Sequence, residues 1–232
     1  MNYSLPKEHC LTLVINDIAA QKLICTDEAL SALVYGFLYN EGYINKAADV
    51  QELAFSADHS QAKIKLESYT PGAAVPVRFS GFAGVGVIRE EQIENVPALR
   101  FFGSGYVSSC AKEAESIAEK YSVTGGMHCS ALFDDKGLLM YYEDVGRHNT
   151  FDKICGRCLL ERKSAADCLL VTTGRISEDM VKKAARMGIS MIASYTTATD
   201  RAYYLAEKCG MTLIGYASKE NFRVYSHGER LG

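Results

Sequence analysis

The chain has 232 residues, of which 48% are apolar and 23% charged, and its formal net charge at pH 7 is -3. This length and apolar content predict one large domain or two small ones with a packed core, and they exclude a disordered chain. Because 25 basic residues are balanced by 28 acidic ones, the charge provides no global positive field. We therefore expect no nucleic-acid partner, and any polyanionic ligand must be bound locally.

The N-terminal residues and the cysteines predict the cellular location. Residues 1–10 lack the basic region and the apolar stretch of a signal peptide, and no run of about 18 apolar residues could span a bilayer. We therefore expect a cytoplasmic protein without a membrane partner. Its eight cysteines should then be reduced, and most of them are predicted to be small core residues.

The first elements in chain order predict the beginning of a small α+β unit. Residues 11–15 and roughly 18–25 have the character of two strands joined as a hairpin. Thr26 is predicted to cap the helix that follows, in which apolar residues recur at helical spacing. That helix should end at Gly42.

Two further strands are predicted at 50–56 and 61–67, the second with alternating apolar residues directed inward. Between Ser68 and Pro97 lie three of the four prolines, which predict irregular structure and a domain junction. The predicted division is a small α+β N-terminal domain, 1–98, and a larger α/β domain, 99–232.

Cys110 ends a stretch of small residues, 103–110, that predicts a loop leading into a helix. The N-cap of that helix would be Ser109 or Cys110 itself. Unpaired amides and the macrodipole at a helix N-terminus favour a thiolate. We therefore interpret Cys110 as a reactive cysteine, the alternative being a small buried residue.

The next elements are strands 126–133 and 138–142, followed by a helix from about 149 to 163. Cys155 and Cys158 have the spacing of a redox or zinc pair, but they fall on the apolar face of this helix and are predicted to be core residues. The His-x-Glu and Pro-Cys-x-x-Cys motifs of zinc deaminases do not occur around them. We expect no metal.

The stretch from Gly125 to Lys153 concentrates chemically versatile side chains after an apolar run. Acceptors, donors and titratable imidazoles at the exit of a buried strand are typical of one wall of a polar site. The residues that we assign to this wall as ligand-binding are His128, Arg147, His148 and Lys153. The alternative, a structural network that stabilises the start of the next helix, is most plausible for Asp144.

The last third of the chain alternates strands and helices with tight connections. Strands at 167–173, 189–194 and 211–217 should be parallel, with right-handed crossovers, so that the segments after them open onto one edge of the sheet. Ligands of open α/β sheets bind at that edge. The predicted ligand-binding residues there, which suit phosphate oxygens, are Thr173, Gly174, Arg175 and Ser177, together with Tyr216, Ala217, Ser218, Lys219, Glu220 and Asn221.

Several motifs together resemble those of the formate dehydrogenase accessory sulfurtransferase (FdhD) family. They are Thr124-Gly-Gly-Met-His128, Glu143-Asp-Val-Gly-Arg-His-Asn149 with Asp152-Lys153, and Thr173-Gly-Arg-Ile-Ser177. Gly36-Phe37-Leu38 with Glu41-Gly42 and Val224-Tyr225-Ser226 resemble the family's N-terminal helix and C-terminal strand, so the resemblance extends across the chain. Ser108-Ser109-Cys110 falls where the family has its Ser-Ser-Cys loop.

The resemblance implies a fold, a function and partners. The fold would be a cytidine-deaminase-like three-layer α/β/α domain without deaminase zinc chemistry, in a homodimer. The protein would be a cytoplasmic sulfurtransferase that takes sulfur from a cysteine desulfurase as a cysteine persulfide. It would deliver that sulfur to the molybdenum bis(molybdopterin guanine dinucleotide) cofactor, its bound substrate, for the catalytic subunit of formate dehydrogenase. The family's guanine-dinucleotide segment corresponds to residues 216–221.

The resemblance also assigns the persulfide to Cys110, the first position of the family's Cys-x-x-Cys pair. The second position is Glu113 in this chain, which removes a thiol that could resolve the persulfide by forming a disulfide. We expect a carrier with one sulfur nucleophile. The alternatives are a non-catalytic cofactor chaperone that has lost sulfur transfer and a thiol redox protein that uses Cys155 and Cys158.

Overall fold

The computed structural model describes residues 4–67, 93, 95–97 and 100–232. The predicted junction between Ser68 and Pro97 lies almost entirely outside the described residues. The division into domains 1–98 and 99–232 therefore stays a prediction.

The N-terminal part forms a four-stranded sheet in the order β2-β1-β4-β3. Its strands are β1 (His9–Ile15), β2 (Ile18–Cys25), β3 (Val50–Phe55) and β4 (Gln61–Leu66). β1 and β2 form the predicted antiparallel hairpin, and β1 pairs in parallel with β4. The inward residues of β4, Ala62, Ile64 and Leu66, are buried as predicted.

Helix α1 (Leu30–Asn40) covers this sheet, and its predicted start was wrong. Thr26 does not cap it, because the helix begins four residues later, after Ala29 adopts a left-handed conformation with φ of 52°. The Thr26 hydroxyl instead donates to the Asp144 carboxylate at 3.0 Å. Thr26 therefore ties the end of β2 to the second sheet.

The second sheet has six strands in the order β10-β9-β8-β7-β5-β6. In chain order they are β5 (His128–Asp134), β6 (Gly137–Asp144), β7 (Leu169–Thr172), β8 (Met191–Ser194), β9 (Thr212–Gly215) and β10 (Arg223–Ser226). β7, β8 and β9 are parallel to each other, as the alternation of strands and helices predicted. The remaining pairs are antiparallel.

Helices cover both faces of this sheet, which gives three layers. They are α2 (Ser104–Ile117), α3 (Glu119–Thr124), α4 (Arg147–Glu161), α5 (Glu178–Arg186) and α6 (Asp200–Cys209). α2 packs on one face, whereas α4, α5 and α6 pack on the other.

Cys155 and Cys158 are 1% and 6% exposed on α4, so the prediction that they are core residues is confirmed. Among the described helices, none combines the length and the apolar character needed to cross a bilayer.

The two sheets are joined by α1 and α4, which pack against each other through glycines. A Cβ on Gly36 would overlap the backbone of Asp152, and one on Gly156 would overlap the backbone of Ala32. Only glycine permits two helix backbones to approach this closely. The N-terminal sheet is therefore attached to the second sheet through the middle of α4, a few turns from the residues at its start.

Candidate functional site

One edge of the six-stranded sheet collects the predicted polar residues. β7, β8 and β9 end there at Thr172, Ser194 and Gly215. β5 runs antiparallel to β7, so its first residue, His128, lies at the same edge, paired with Asp144 at the end of β6. The prediction that the segments after the parallel strands open onto one edge is therefore confirmed.

His128 and Arg147 meet over Gly174 at this edge. A Cβ on Gly174 would lie 3.3 Å from Nδ1 of His128 and 3.1 Å from Cβ of Arg147. Nδ1 of His128 and Nε of Arg147 are both buried and have no hydrogen-bond partner among the described residues. Burial, and then the charge of Arg147, lower the pKa of His128. A guanidinium N–H without an acceptor beside a neutral imidazole suits an anionic ligand.

His148 follows Arg147 in the first turn of α4. Its Nε2 lies 3.4 Å from the Ser177 hydroxyl, which forms no side-chain cap on α5. Burial, and then the charges of Lys183 and Arg147, lower the pKa of His148 to about 3. His148 is therefore a neutral imidazole at physiological pH, able to donate one hydrogen bond and accept another but not to balance a phosphate charge.

The depressed pKa of His148 predicts a loss of stability in acid. Unfolding returns this pKa from about 3 to about 6.5, so the unfolded state binds more protons between these values. The stabilisation is complete above about pH 6.5 and decreases as the pH falls, by about 2 kcal/mol at pH 5. Urea unfolding between pH 8 and pH 4 should show a shallower acid loss for His148→Gln than for the wild type. If stability fell equally steeply with pH in both proteins, the low pKa of His148 in the folded state would be contradicted.

Residues 173–177 contribute less to a ligand site than predicted. The Thr173 hydroxyl accepts the Cys129 amide at 2.9 Å, and the Gly174 carbonyl accepts the Ser194 hydroxyl at 2.8 Å. These groups hold β5, β7 and β8 together. Arg175 is exposed and lies close enough to Arg147 for its charge to lower the Arg147 pKa, after burial. Arg175 and Ser177 are the residues of this segment that remain open to a ligand.

Lys153 does not belong to the ligand-facing wall, contrary to the prediction. Its Nζ is fully buried, 2.6 Å from the Asp144 carboxylate and 2.7 Å from the Thr26 hydroxyl. Asp144 also accepts the Thr26 amide and the Asn149 side-chain amide. Asp144 therefore stabilises the start of α4, as the structural alternative predicted. Lys153 is directed inward because Thr26, the residue that follows β2, accepts a hydrogen bond from it in the same network.

Residues 216–221 follow β9 at the same edge. Tyr216 has φ of 56°, and its ring lies 5.1 Å from the Lys219 ammonium and 4.8 Å from the Arg223 guanidinium. The Ala217 amide donates to the Ser194 carbonyl at 2.8 Å, and Ala217 is buried. The exposed residues of the segment are Lys219, Glu220 and Asn221, with Ser218 half-buried. The prediction missed Arg223, which lies two residues beyond the predicted range and adds a second cation.

Cys110 is not in a loop at a helix N-terminus. α2 begins at Ser104 with Gly103 as its N-cap, so Cys110 is the seventh residue of the helix and is 2% exposed. Burial raises the pKa of its thiol to about 11. The segment is helical because Tyr106, Val107, Cys110, Ala111 and Ala114 form one apolar face that packs on the sheet. The predicted thiolate is therefore wrong for this conformation.

The structure places Cys110 on the other face of the sheet from α4, the helix that carries Arg147 and His148. Cys110 lies on α2 in a buried cluster against which Tyr106 also packs. Tyr106 contacts the carbonyl of Asp134, which is at the opposite end of β5 from His128. Cys10, on β1, is the one exposed cysteine of the eight. Within the described ranges, no group of three or more His, Cys, Asp or Glu side chains could hold a metal ion.

The family is decided by similarity over the whole chain. A model of the FdhD/NarQ family matches residues 6–232. The chain belongs to the FdhD/NarQ family. The resemblance drawn from the motifs is thereby confirmed.

Relatives of this FdhD/NarQ chain include the sulfur carrier protein FdhD of Bacillus subtilis, 32% identical over 97% of the chain and 88% of the relative. The sulfur carrier protein FdhD of Sulfolobus acidocaldarius is 34% identical over 86% of the chain and 79% of the relative. A crystal structure of a candidate formate dehydrogenase accessory protein from Desulfotalea psychrophila matches with a TM-score of 0.83 and 28% identity. That match covers 100% of this chain and 92% of the other.

Proposed function

We propose that this FdhD/NarQ chain is a sulfurtransferase that carries sulfur on Cys110 as a persulfide. The donor is a cysteine desulfurase. The acceptor is the molybdenum bis(molybdopterin guanine dinucleotide) cofactor destined for the catalytic subunit of formate dehydrogenase. The observation that carries the proposal is similarity to sulfur carrier proteins. The match to the relative from Bacillus subtilis covers 97% of this chain. The proposal includes a cytidine-deaminase-like fold, a homodimer and a cytoplasmic location.

Loading of sulfur needs only one thiol on this chain. The Cys110 thiolate attacks the outer sulfur of the desulfurase persulfide, a new S–S bond forms on Cys110, and the desulfurase cysteine leaves as a thiolate. Release of the outer sulfur as sulfide then consumes two electrons. Because position 113 is glutamate, an external thiol reductant has to supply them and regenerate the Cys110 thiol.

The anionic cofactor is proposed to bind at the edge of the six-stranded sheet where β7, β8 and β9 end. Arg147 has a buried N–H that finds no acceptor within the described part of the chain, and Arg175 is exposed beside it. The amides at the start of α5 and the Ser177 hydroxyl lie at the same edge, where phosphate oxygens are favourable ligands. Lys219 and Arg223 add two further cations around Tyr216. The set of donors fits a nucleotide pyrophosphate.

Intact-mass measurement after incubation with a cysteine desulfurase and cysteine tests the carrier role. Wild-type protein should gain one sulfur atom, which a thiol reductant removes, whereas Cys110→Ala should gain none. Cys10→Ala is the matched control, because it removes the exposed cysteine and should retain the full gain. The carrier role fails if the wild type gains no sulfur or if Cys110→Ala gains as much.

The second candidate is a non-catalytic chaperone that binds the cofactor for formate dehydrogenase. Glu113 and the burial of Cys110, which is 2% exposed, favour it. The chaperone would bind a guanine nucleotide with an affinity that Cys110→Ala leaves unchanged, and it would gain no sulfur mass. The third candidate, a redox pair of Cys155 and Cys158, is disfavoured because both thiols are buried and burial raises the pKa of each.

A further inference from the structure

Three hydroxyl groups lie buried between α4 and the six-stranded sheet. They belong to Ser130 on β5, Thr150 on α4 and Thr172 on β7, whose side chains are at most 1% exposed. The packing around them is apolar, since Leu132 and Leu170, two residues away on the same strands, belong to the core cluster that α4 covers. Alanine or valine would fit such an interface without the cost of burying a polar group. Packing alone therefore does not account for the three hydroxyls.

Two of these hydroxyls make local hydrogen bonds at the candidate site. The Thr150 hydroxyl donates to the carbonyl of Arg147, three residues earlier on α4, at 2.7 Å. The Thr172 hydroxyl accepts the amide of Gly174, two residues later, at 3.3 Å. Threonine commonly makes such bonds with nearby backbone. Here they end on two residues that touch, because a Cβ on Gly174 would lie 3.2 Å from Cδ of Arg147.

Ser130 joins these two local hydrogen bonds into one network. Its Oγ lies 2.6 Å from the Thr150 oxygen and donates to the Thr172 oxygen at 3.0 Å. Ser130 is 20 residues from Thr150 and 42 from Thr172 in the sequence, so this link depends on the tertiary fold. Connected hydrogen bonds in a buried network polarise and strengthen one another. The network fixes the first turn of α4 relative to the end of β7.

We propose that Ser130 is a positioning residue for Arg147. By joining the two threonine hydroxyls, it holds the Arg147 side chain against Gly174, with the guanidinium presented to an anion at the edge where β7 ends. Ser130 is fully buried, so it acts on a ligand only through Arg147. The importance of this position for cofactor binding rests on the proposed function of that edge, whereas the position itself requires no ligand.

NMR of the unliganded protein tests the position. The approach of Arg147 Cδ to Gly174 predicts a nuclear Overhauser effect between the Arg147 δ protons and the Gly174 α protons. Ser130→Ala removes the joining hydroxyl and leaves both local hydrogen bonds in place, and it should lose this effect. Thr150→Val keeps the shape of the side chain and should lose it too, which provides the test if Ser130→Ala does not fold. Retention of the effect in either folded variant would overturn the proposal.

Ser226→Ala is the matched control. The Ser226 hydroxyl is also buried and also makes two hydrogen bonds, donating to the Met211 carbonyl at 2.7 Å and accepting the Leu213 amide at 3.0 Å. It lies near the beginning of β9, whereas the candidate site is at the end of that strand. Ser226→Ala should therefore retain the Overhauser effect and the ligand affinity of the wild type. If it lost the effect as well, the role would not be specific to Ser130 and the proposal would fail.

Calorimetric titration with guanosine diphosphate tests the consequence for the proposed ligand. Ser130→Ala should weaken binding about fivefold, the effect of losing one net hydrogen bond. In an Arg147→Gln background the same substitution should leave the dissociation constant nearly unchanged, because Ser130 acts through the Arg147 side chain. An equal loss of affinity in both backgrounds would indicate general damage to the site and would overturn the proposal.

The proposed cofactor site and the positioning role of Ser130 are refuted by different results. If the wild type binds no guanosine diphosphate while Ser130→Ala loses the Overhauser effect, the cofactor site is refuted and the positioning role stands. If guanosine diphosphate binds equally tightly to the wild type and to Ser130→Ala, the positioning role is refuted and the cofactor site stands.

Discussion

Gly156→Ala is expected to destabilise the protein severely, although it adds a single methyl group. The new Cβ would overlap the carbonyl of Ala32 and the amide of Gly36 on α1. These are backbone atoms, which cannot rotate away as a side chain can. The two helices would have to separate, and the packing around them would be lost, at a cost of about 3 kcal/mol or more. Urea unfolding followed by circular dichroism would measure the loss.

Gly105→Ala provides the control for this prediction. Gly105 also lies in a helix, α2, but a Cβ there would meet nothing within 4 Å. Alanine is the better helix former by about 1 kcal/mol, so this variant should be as stable as the wild type or slightly more stable. Equal unfolding midpoints for Gly156→Ala and Gly105→Ala would show that the α1–α4 contact tolerates a side chain.

Lys153→Met is expected to lower the free energy of unfolding by about 3–5 kcal/mol, since it leaves the Asp144 carboxylate buried without its cation. Lys153 and Asp144 are both fully buried and 2.6 Å apart. Methionine retains most of the aliphatic volume of lysine, so the charge is the main change. The same variant should disorder the start of α4, and it should weaken the proposed nucleotide binding through Arg147, which follows Asp144 by three residues.

Lys163→Met separates this effect from the general loss of an ion pair. Lys163 pairs with Glu161 at 2.7 Å, but its side chain is 53% exposed. Exposed pairs contribute little, so the urea midpoint of Lys163→Met should equal that of the wild type. If Lys153→Met unfolded at that midpoint too, the Asp144–Lys153 pair would have no role in holding β2, β6 and α4 together.

The edge of the sheet that carries the candidate site could be predicted because it depends on local pattern. Alternating strands and helices impose parallel strands and right-handed crossovers, and these bring the residues after Thr172, Ser194 and Gly215 to one edge. Lys153 could not be placed in the same way. Its direction depends on Thr26, a residue 127 positions away, and no period in the sequence reports such a contact.

Cys110 shows how tertiary packing overrides local propensity. Glycine and serine at 103–105 and 108–109 are weak helix formers, so the segment has the composition of a loop. The apolar face of Val107, Cys110 and Ala111, each at most 2% exposed, stabilises the helix by packing on the sheet. The apolar spacing of α2 extends back through the small-residue segment, and this period determines the structure there more strongly than the composition does. Arg223 was missed because its contact with Tyr216 depends on how β9 and β10 pair.

The exposure of Cys10 affects how self-association of this protein has to be measured. Seven of the eight cysteines are buried, and Cys10 on β1 is open to solvent. Two copies that meet in aerated buffer can be joined through Cys10 by an intermolecular disulfide without any native interface. Such a covalent pair would have the mass of a homodimer in size-exclusion chromatography and would dissociate on reduction. A homodimer of biological relevance is therefore one that persists in reductant or in Cys10→Ser protein.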